Sequence, residues 1–260
     1  IITHCIISDN TATWEDYFGG GIHLNGAPNG TRNGIVSNCV VTGNSIGIVV
    51  MGDGNSWTIA NCTIATNKYV GVAYFDCNKP LLTNSILWNN SLELWIDSIL
   101  VGKPSSAYVI ASHCNIEGGL AEVRIGDYNC TIEWDNSNID EDPCFVNPGY
   151  WDTNGTPKVA NDDFFVEGDY HLKSQAGRYV PNIEGWVQDD VTSPCIDSGD
   201  PNSPIGLEPF PNGGFINMGA YGGTNEASKS YFGKPVCETI VAGDINGDCK
   251  VNELDMAIMM

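Results

Sequence analysis

The stretches "NCVVTGN" (residues 38–44), "NCTIATN" (61–67) and "NSILWNN" (84–90) repeat one pattern at a constant spacing of 23 residues. An earlier stretch, "HCIISDN" (4–10), shares the pattern, and "HCNIEGG" (113–119) is a degenerate later copy. Each copy has Asn or His, then Cys or Ser, and an aliphatic residue two positions further on. The first four copies also have Asn five positions after the Cys or Ser. A second short apolar segment follows three copies, as "GIHL" (21–24), "GIVV" (47–50) and "GVAY" (71–74). Short segments repeating at this period, without helical periodicity, predict a solenoid of stacked coils.

The repeat predicts an all-β fold, a right-handed parallel β-helix in which each repeat forms one coil about 4.8 Å from the next. Equivalent positions of successive coils lie one above another, so the aliphatic positions should form a column that points inward. The asparagines should form a second column at a turn, where amide side chains bond to one another and to exposed backbone. The predicted inward column is Ile7, Val41, Ile64, Leu87 and Ile116, and the predicted asparagine ladder is Asn10, Asn44, Asn67 and Asn90.

The ten cysteines fall into two groups. Four of them precede the inward aliphatic position by two residues, so we expect buried free thiols that behave as small hydrophobes. Stacked side chains with parallel Cβ directions do not converge as a disulfide requires. These four are Cys5, Cys39, Cys62 and Cys114. The other six could pair in an oxidising compartment; they are Cys77, Cys130, Cys144, Cys195, Cys237 and Cys249, with Cys237–Cys249 as one candidate pair.

The charge balance limits the partners that the protein can have. Acidic residues outnumber basic ones 32 to 11, which gives a formal net charge of −21. Such a surface repels nucleic acid and anionic membranes, and it repels polyuronates unless calcium bridges the two. No apolar run approaches the 18 residues of a membrane span. The opening "IITHCIISDN" reads as the middle of a strand, so we expect the sequence to be a piece of a longer protein, and we expect a monomer.

The periodicity fades after about residue 135, and the composition becomes rich in Pro, Gly and Asp. The open end of a β-helix presents unpaired backbone groups that need cover. We therefore predict stacked coils over 1–135 and a final coil with a cap over 136–232. A linker follows over 233–242, and a separate terminal motif occupies 243–260.

The order of motifs in this C-terminal part, "DEDPCFVNP", "DYHLKS", "SPCIDSGDP" and "INMGAYGG", carries a resemblance. Over about residues 1–232 the chain resembles a family of secreted bacterial right-handed β-helix proteins of the pectate-lyase-like superfamily. The resemblance implies a secreted, extracellular or cell-surface protein. It does not select an activity, because that superfamily includes polysaccharide lyases, glycosidases and adhesins. His171 matches the structural pattern of the family, which implies a role in packing or in turn hydrogen bonding rather than in catalysis.

The terminal stretch "DINGDCKVNELD" (244–255) has oxygen-bearing residues at calcium-loop positions. Loops of the EF-hand type bind calcium through positions 1, 3, 5, 7 (backbone carbonyl), 9 and 12. These positions predict a Ca²⁺ site formed by Asp244, Asn246, Asp248, Lys250, Asn252 and Asp255. Cys249 stands at position 6 where an EF-hand has Gly, and position 12 is Asp where it has Glu.

This stretch also resembles the first calcium repeat of a dockerin, which implies anchoring to a cohesin-like receptor. Dockerins usually carry two such repeats, and one is present here. Cellulosomal dockerins often have a Ser-Thr pair at positions 10 and 11, where this chain has Glu253 and Leu254.

No catalytic set stands out in the sequence. Glycoside hydrolysis needs two carboxyls on one face, but the adjacent pairs Asp162/Asp163 and Asp189/Asp190 fit solvated turns better. One insertion, "TATWEDYFGG" (11–20), offers aromatic and acidic side chains that could stack on sugar rings and bond hydroxyls. Its candidate sugar contacts are Trp14, Glu15, Asp16 and Tyr17. The alternative is that these aromatics cover the flank of the β-helix or a preceding coil.

Three functions remain open from the sequence. The first is a non-catalytic module that contacts polysaccharide or surface glycans and is anchored by the calcium motif. The second is a polysaccharide lyase or glycoside hydrolase whose active site lies in upstream coils. The third is an adhesin or structural surface protein.

Overall fold

The computed structural model describes residues 1–11, 20–26, 33–52, 56–98, 106–126, 129–157 and 162–233, together with Val251, Glu253 and Met256. The described coils form a right-handed parallel β-helix, which confirms the predicted fold class. Three parallel sheets run along the solenoid. Five coils contribute one strand to each sheet, and the first sheet has one further strand.

The strands of the three sheets are short. The first sheet contains β1 (Ile2–Thr3), β4 (Asn33–Ser37), β7 (Ser56–Ala60), β10 (Asn78–Thr83), β13 (Tyr108–Ser112) and β16 (Thr131–Trp134). The second contains β2 (Ile6–Ser8), β5 (Val40–Thr42), β8 (Thr63–Ala65), β11 (Ile86–Trp88) and β14 (Asn115–Ile116). The third contains β3 (Ile22–Asn25), β6 (Ile46–Met51), β9 (Val70–Phe75), β12 (Leu94–Asp97) and β15 (Arg124–Ile125).

The inward aliphatic column is confirmed by the strand register of the second sheet. Ile7 pairs with Val41, Val41 with Ile64, Ile64 with Leu87, and Leu87 with Ile116. From Val41 onward these side chains are completely buried in the main core. Since the pattern of the repeat keeps one residue type at one position of the coil, stacking creates a continuous apolar interior.

The first residue of each repeat adopts a left-handed backbone conformation, which turns the chain between the first and second sheets. Its φ lies near +50° in all five copies, at His4, Asn38, Asn61, Asn84 and His113. Asn and His are among the residue types most often found in this region, because Asn in particular can bond locally to the backbone. This requirement explains why the repeat begins with Asn or His.

The predicted asparagine ladder is present at the turn between the second and third sheets. The backbone N–H and side-chain Nδ2 of Asn10 both donate to Oδ1 of Asn44, and Asn44 bonds to Asn67 in the same way. Asn67 in turn donates twice to Oδ1 of Asn90, at 2.9 and 2.8 Å. Each rung thereby satisfies backbone groups that the turn would otherwise leave unpaired.

A column of glycines makes room for this ladder. A Cβ atom on Gly21 would lie 2.9 Å from Nδ2 of Asn44, and one on Gly47 would lie 2.9 Å from Nδ2 of Asn67. Gly71 stands in the same relation to Asn90, at 2.8 Å. Absence of a side chain at these three positions is therefore a steric requirement of the ladder.

The C-terminal segment lies along the outer side of the second sheet. It contains three antiparallel pairs, β17 (Phe145–Asn147) with β20 (Asp169–Leu172), β18 (Tyr150–Asp152) with β19 (Phe164–Val166), and β21 (Arg178–Val180) with β22 (Gly185–Val187). Short 3-10 turns span Gly119–Glu122 and Pro181–Ile183. A second core joins outward residues of the coils, such as Val40 and Ile86, to Phe145, Leu172 and Met218.

Outward asparagines at the left-handed turns fasten this flank segment (residues 142–230) to three successive coils. Asn38 donates to the carbonyls of Ala220 and Gly222, and Asn61 donates to the carbonyl of Asn217. Asn84 donates to Ser203. The segment was predicted to cover the open end of the solenoid, whereas these contacts place residues 142–230 beside the coils. The reason is that the outer face of the second sheet is itself apolar and needs cover.

All eight cysteines in the described part of the chain are free. Cys39, Cys62 and Cys114 are completely buried in the main core, as predicted, and the thiols of Cys5, Cys39, Cys62 and Cys114 each donate to the carbonyl two residues earlier. The expectation that Cys77, Cys130, Cys144 and Cys195 pair is not met in this structure. Cys77 and Cys130 share one interior column, but Ala107 of the intervening coil lies between them.

Candidate functional site

The residues that the sequence analysis proposes for sugar and calcium binding lie outside the described residues. This applies to the candidate sugar contacts Trp14, Glu15, Asp16 and Tyr17, and to the calcium loop Asp244, Asn246, Asp248, Lys250, Asn252 and Asp255. Within the described ranges, no group of three or more His, Cys, Asp or Glu side chains is arranged to hold a metal ion. These two sites therefore remain predictions.

The adjacent acidic pairs that the sequence analysis examined are engaged in ion pairs. Asp163 lies 3.3 Å from Nζ of Lys68. Asp189 accepts hydrogen bonds from Nε and Nη2 of Arg178, in a mostly buried pair. In both pairs one carboxylate is used to fix the flank segment.

A cleft of about 520 Å³ opens where the flank segment meets the end of β11. Its volume lies within the range of small-ligand sites, about 300–1,000 Å³. The lining residues are Trp88, Asn89, Asp142, Cys144, Phe145, Pro148, Lys173, Asp190 and Val191. The third sheet does not contribute, so the cleft is built from one turn of the solenoid and three stretches of the flank segment.

The coil positions the aromatic side of this cleft. Ile86, Leu87 and Trp88 alternate along β11, so Leu87 points into the core and Trp88 points outward. Trp88 is partly buried against the second core and keeps part of its ring exposed. Asn89 follows in a left-handed conformation (φ 59°), which ends the strand and projects the residue at the rim.

The flank segment supplies the charged side of the cleft. Asp142 accepts a hydrogen bond from the backbone N–H of Cys144, and the N–H of Lys173 donates to the carbonyl of Cys144. These bonds fix the stretches that carry Asp142 and Lys173 next to one another. Asp190 is the third charged residue in the lining. The cleft beside Trp88 is therefore lined by two carboxylate residues and one lysine.

The Cys144 thiol in this cleft is unsuited to nucleophilic catalysis. Partial burial raises its pKa, the carboxylates of Asp142 and Asp190 raise it further, and Lys173 opposes them. A nucleophilic cysteine needs a thiolate, which requires a lowered pKa. The thiol therefore stays protonated at neutral pH.

Two glutamates that the sequence analysis did not single out form a carboxyl pair behind the cleft. Glu93 is 5% exposed and accepts hydrogen bonds from the N–H and Nδ2 of Asn90. Burial raises the pKa of Glu93 to about 8; its bonds from Asn90 oppose this shift, and contact with Glu117 adds to it. Glu117 accepts the N–H of Asn89 at 2.6 Å, so the pair is joined to the rim of the cleft.

The surroundings of Glu93 do not suit the usual glycosidase arrangement. The two catalytic carboxyls of glycosidases stand on either side of the scissile bond, with the sugar or a water molecule between them. Both oxygens of the buried Glu93 carboxyl instead accept hydrogen bonds from Asn90. The carboxyl is therefore not presented to a sugar.

A sequence signal for Glu93 exists in the register of the coils. Leu94 pairs with Val72, so Glu93 stacks on Gly71, which itself stacks on Gly47. Gly47 and Gly71 each leave room for the ladder asparagine of the following coil. Glu93 stands at the next position of this glycine column, and its side chain occupies the place that the asparagine of the following coil would take. The acidic residues of the flank segment carry no such signal, because the repeat does not extend to them. Trp88 lies within the repeat, but at a position that varies from coil to coil, where the other copies have Ser8, Thr42 and Ala65.

Two comparisons with known families match the chain. Residues 1–118 match the family described as "Right handed beta helix region", and residues 117–199 match the family described as "Disaggregatase related". No curated protein and no solved structure matches the chain. Among the described residues, no helix is long and apolar enough to cross a membrane. The first match and the three in-register parallel sheets agree that the coils form a right-handed β-helix region.

Proposed function

We propose that this chain is a β-helix module that binds polysaccharide in the cleft beside Trp88. The observation that carries the proposal is the combination of an outward indole with two carboxylates and an ammonium group in one cleft of suitable size. Indole rings offer an apolar face on which a pyranose ring can stack. Carboxylates accept, and an ammonium group donates, the hydrogen bonds that sugar hydroxyls form.

The charge of the molecule narrows the class of polysaccharide. The net charge of −21 and the acidic side chains of the cleft disfavour uronate-rich chains. Neutral or amino-bearing polysaccharides avoid this repulsion. Seven of the nine lining residues lie within 117–199, the part described as "Disaggregatase related". The description of this family refers to disaggregation, which is compatible with binding to a polymer that holds an aggregate together.

Binding to polysaccharide can be tested by affinity electrophoresis of the whole chain through gels that contain neutral, amino-bearing or uronate polymers. We expect retardation by a neutral or amino-bearing polymer, and at least about tenfold weaker binding for Trp88→Ala, since tenfold corresponds to about 1.4 kcal/mol. Trp186→Ala, at an exposed tryptophan outside the cleft lining, is the matched control and should bind like the parent. Equal retardation of the parent and Trp88→Ala would contradict the proposal.

We further propose that the C-terminal motif binds Ca²⁺ and anchors the module to a cohesin-like receptor outside the cell. Its support is the spacing of Asp244, Asn246, Asp248, Asn252 and Asp255, with the carbonyl of Lys250. Oxygen ligands of this number and type suit a hard divalent cation. Extracellular calcium modules typically bind with Kd values of about 10⁻⁴–10⁻³ M, which is the range to examine.

Calorimetric titration of the whole chain with Ca²⁺ tests this part. We expect one site, which the double substitution Asp244→Asn with Asp248→Asn removes. Asp152→Asn, at a carboxylate of β18, is the control and should leave the titration unchanged. Absence of a heat signal at millimolar Ca²⁺ would contradict the calcium proposal and would leave the cleft untouched.

A further inference from the structure

A tight β-turn over residues 153–156 follows strand β18 in the flank segment. Its two central residues have positive φ, 49° at Asn154 and 71° at Gly155, and the N–H of Thr156 donates to the carbonyl of Thr153 at 2.8 Å. Positive φ at both central positions is the mark of a type I′ turn, for which Asn-Gly is among the preferred pairs. The turn therefore selects a dipeptide whose side chain and backbone can react with each other.

An asparagine that is followed by glycine can cyclise on its own backbone. The Gly155 nitrogen gives its proton to hydroxide and attacks Cγ of Asn154, and Nδ2 takes a proton from water and leaves as ammonia. Water then adds to one of the two carbonyls of the succinimide ring, which gives aspartate or isoaspartate. The reaction exchanges ammonia for water and needs no oxidant. Glycine favours the attack because it has no Cβ to obstruct the close approach.

The reacting groups of Asn154 and Gly155 are open to solvent. Both residues are exposed, and a Cβ atom on Gly155 would meet no atom within 4 Å. The hydrogen bonds of the turn hold the neighbouring groups, because the N–H of Asn154 donates to Oδ1 of Asp152 and that of Thr156 donates to Thr153. Among the described residues, the Gly155 N–H and the Asn154 amide have no hydrogen-bond partner. The two groups that must meet are therefore unrestrained.

The other Asn-Gly pairs in the described part of the chain are held by the fold. Four of the six pairs in the sequence lie there, at Asn25, Asn33, Asn154 and Asn212. The N–H of Gly26 donates to the carbonyl of Met51 at 2.8 Å, and that of Gly213 donates to Oδ1 of Asp197 at 2.9 Å. Gly34 lies inside β4, which is paired with β7. Such amides can react only when their segment opens locally.

We propose that Asn154 is a site of spontaneous deamidation, at which the folded protein acquires isoaspartate or aspartate and one additional negative charge. The site does not line the cleft beside Trp88. Strand β18 is fixed to the coils, because Nε1 of Trp151 donates to the carbonyl of Thr66 at 3.0 Å and Lys68 lies over the same indole ring. The modification therefore accumulates without undocking the flank segment.

Peptide mapping of the whole chain by mass spectrometry tests this proposal. The protein is incubated at mildly alkaline pH in water enriched in heavy oxygen, once folded and once in guanidinium chloride. In the folded protein we expect Asn154 to deamidate at least about tenfold faster than the other three described pairs, which react only from open states. In guanidinium chloride the four rates should converge. Fragmentation that separates isoaspartate from aspartate should show both products, each with heavy oxygen from the added water.

Two variants make the result specific. Asn154→Gly keeps a residue that tolerates positive φ and removes the amide, so the change of mass and charge at this peptide should disappear. Asn212→Gly is the matched control and should leave the rate at Asn154 unchanged.

Two results would each overturn the proposal. One is an equal rate of deamidation at Asn154 and Asn212 in the folded protein. The other is an unmodified Asn154 in the folded protein after a time that converts it in guanidinium chloride, which would show that the turn protects the pair.

Discussion

At the scale of single residues, Glu93 shows how one side chain can end a repeating network. Each ladder asparagine receives two hydrogen bonds from the preceding coil on its Oδ1, and the two oxygens of Glu93 receive the equivalent bonds from Asn90. The fifth copy of the repeat has Gly119 where the earlier copies end in asparagine. Glu93 therefore supplies the acceptor that the next coil lacks.

We predict that Glu93→Gln removes a pH dependence of stability. Burial raises the pKa of Glu93 to about 8, from an ordinary value of 4.5. Between these values the native state holds a proton that the unfolded state has lost, so stability falls as the pH rises from about 4.5 to 8. A glutamine keeps one oxygen for Asn90, loses the second acceptor equally at every pH, and does not titrate. Urea denaturation at pH 5, 7 and 9 should show that the free energy of unfolding of Glu93→Gln rises relative to that of the parent as the pH rises, by a few kcal/mol at most.

The control for this prediction is Glu122→Gln, at an exposed glutamate in the 3-10 turn Gly119–Glu122. Its urea midpoint should follow that of the parent at every pH. Parallel pH profiles for Glu93→Gln and the parent would show that Glu93 is already ionised in the native protein.

The cysteines lead to a second prediction at this scale. Burial raises the pKa of Cys114 to about 12, so its thiol is both inaccessible and protonated at neutral pH. Cys5 and Cys144 are partly exposed. Site-resolved alkylation of the native protein, read by mass spectrometry, should label Cys5 and Cys144 and leave the interior thiols unmodified until denaturant is added. Native labelling of Cys62 as fast as Cys144 would contradict the inward column.

At the scale of structural elements, the asparagine ladder binds the coils to one another at one corner. Asn67 stands in its middle: its Oδ1 accepts two bonds from Asn44, and its Nδ2 donates to the carbonyl of Val41 and to Asn90. Asn67 is 2% exposed, whereas Asn10 at the first rung is exposed. A buried asparagine in the middle of the ladder should therefore contribute more to stability than the exposed asparagine at its first rung.

We predict that Asn67→Ala lowers the free energy of unfolding by about 3–5 kcal/mol, because it leaves buried donors and acceptors of neighbouring coils without partners. Asn10→Ala should cost about 1 kcal/mol or less, since water can replace its bonds. Denaturant unfolding of the two variants beside the parent gives both values. Equal costs would show that the ladder adds little beyond the stacking of the strands.

How much the sequence could predict depends on whether an element belongs to the repeat. The column through Val41 and Ile64 and the ladder through Asn67 were predictable, because a constant period stacks like residues on like. The cleft beside Trp88 was not, because Lys173 and Asp190 come from a segment without a period. Their position follows from burial of the outer face of the second sheet, which only the folded chain defines.

At the scale of the whole molecule, the flank segment couples the coils to one another. It bonds to three successive coils through Asn38, Asn61 and Asn84. It also buries outward residues of the second sheet, which would otherwise be exposed. The cleft beside Trp88 lies at an edge of this contact, so its geometry depends on docking of the flank segment.

We predict that Met218→Asp undocks the flank segment and thereby loosens the coils beneath it. Met218 is 1% exposed in the second core, and its neighbour Gly219 donates to the carbonyl of Asn84. A buried aspartate without a partner is strongly unfavourable. Hydrogen exchange read by mass spectrometry should therefore quicken in the flank segment and also in β5, β8 and β11. Phe210→Asp, at a side chain that is 57% exposed, is the control and should leave exchange unchanged. If Met218→Asp quickened exchange only within residues 196–228, the coils would be stable without the flank segment, and the contacts through Asn38, Asn61 and Asn84 would serve only to hold that segment.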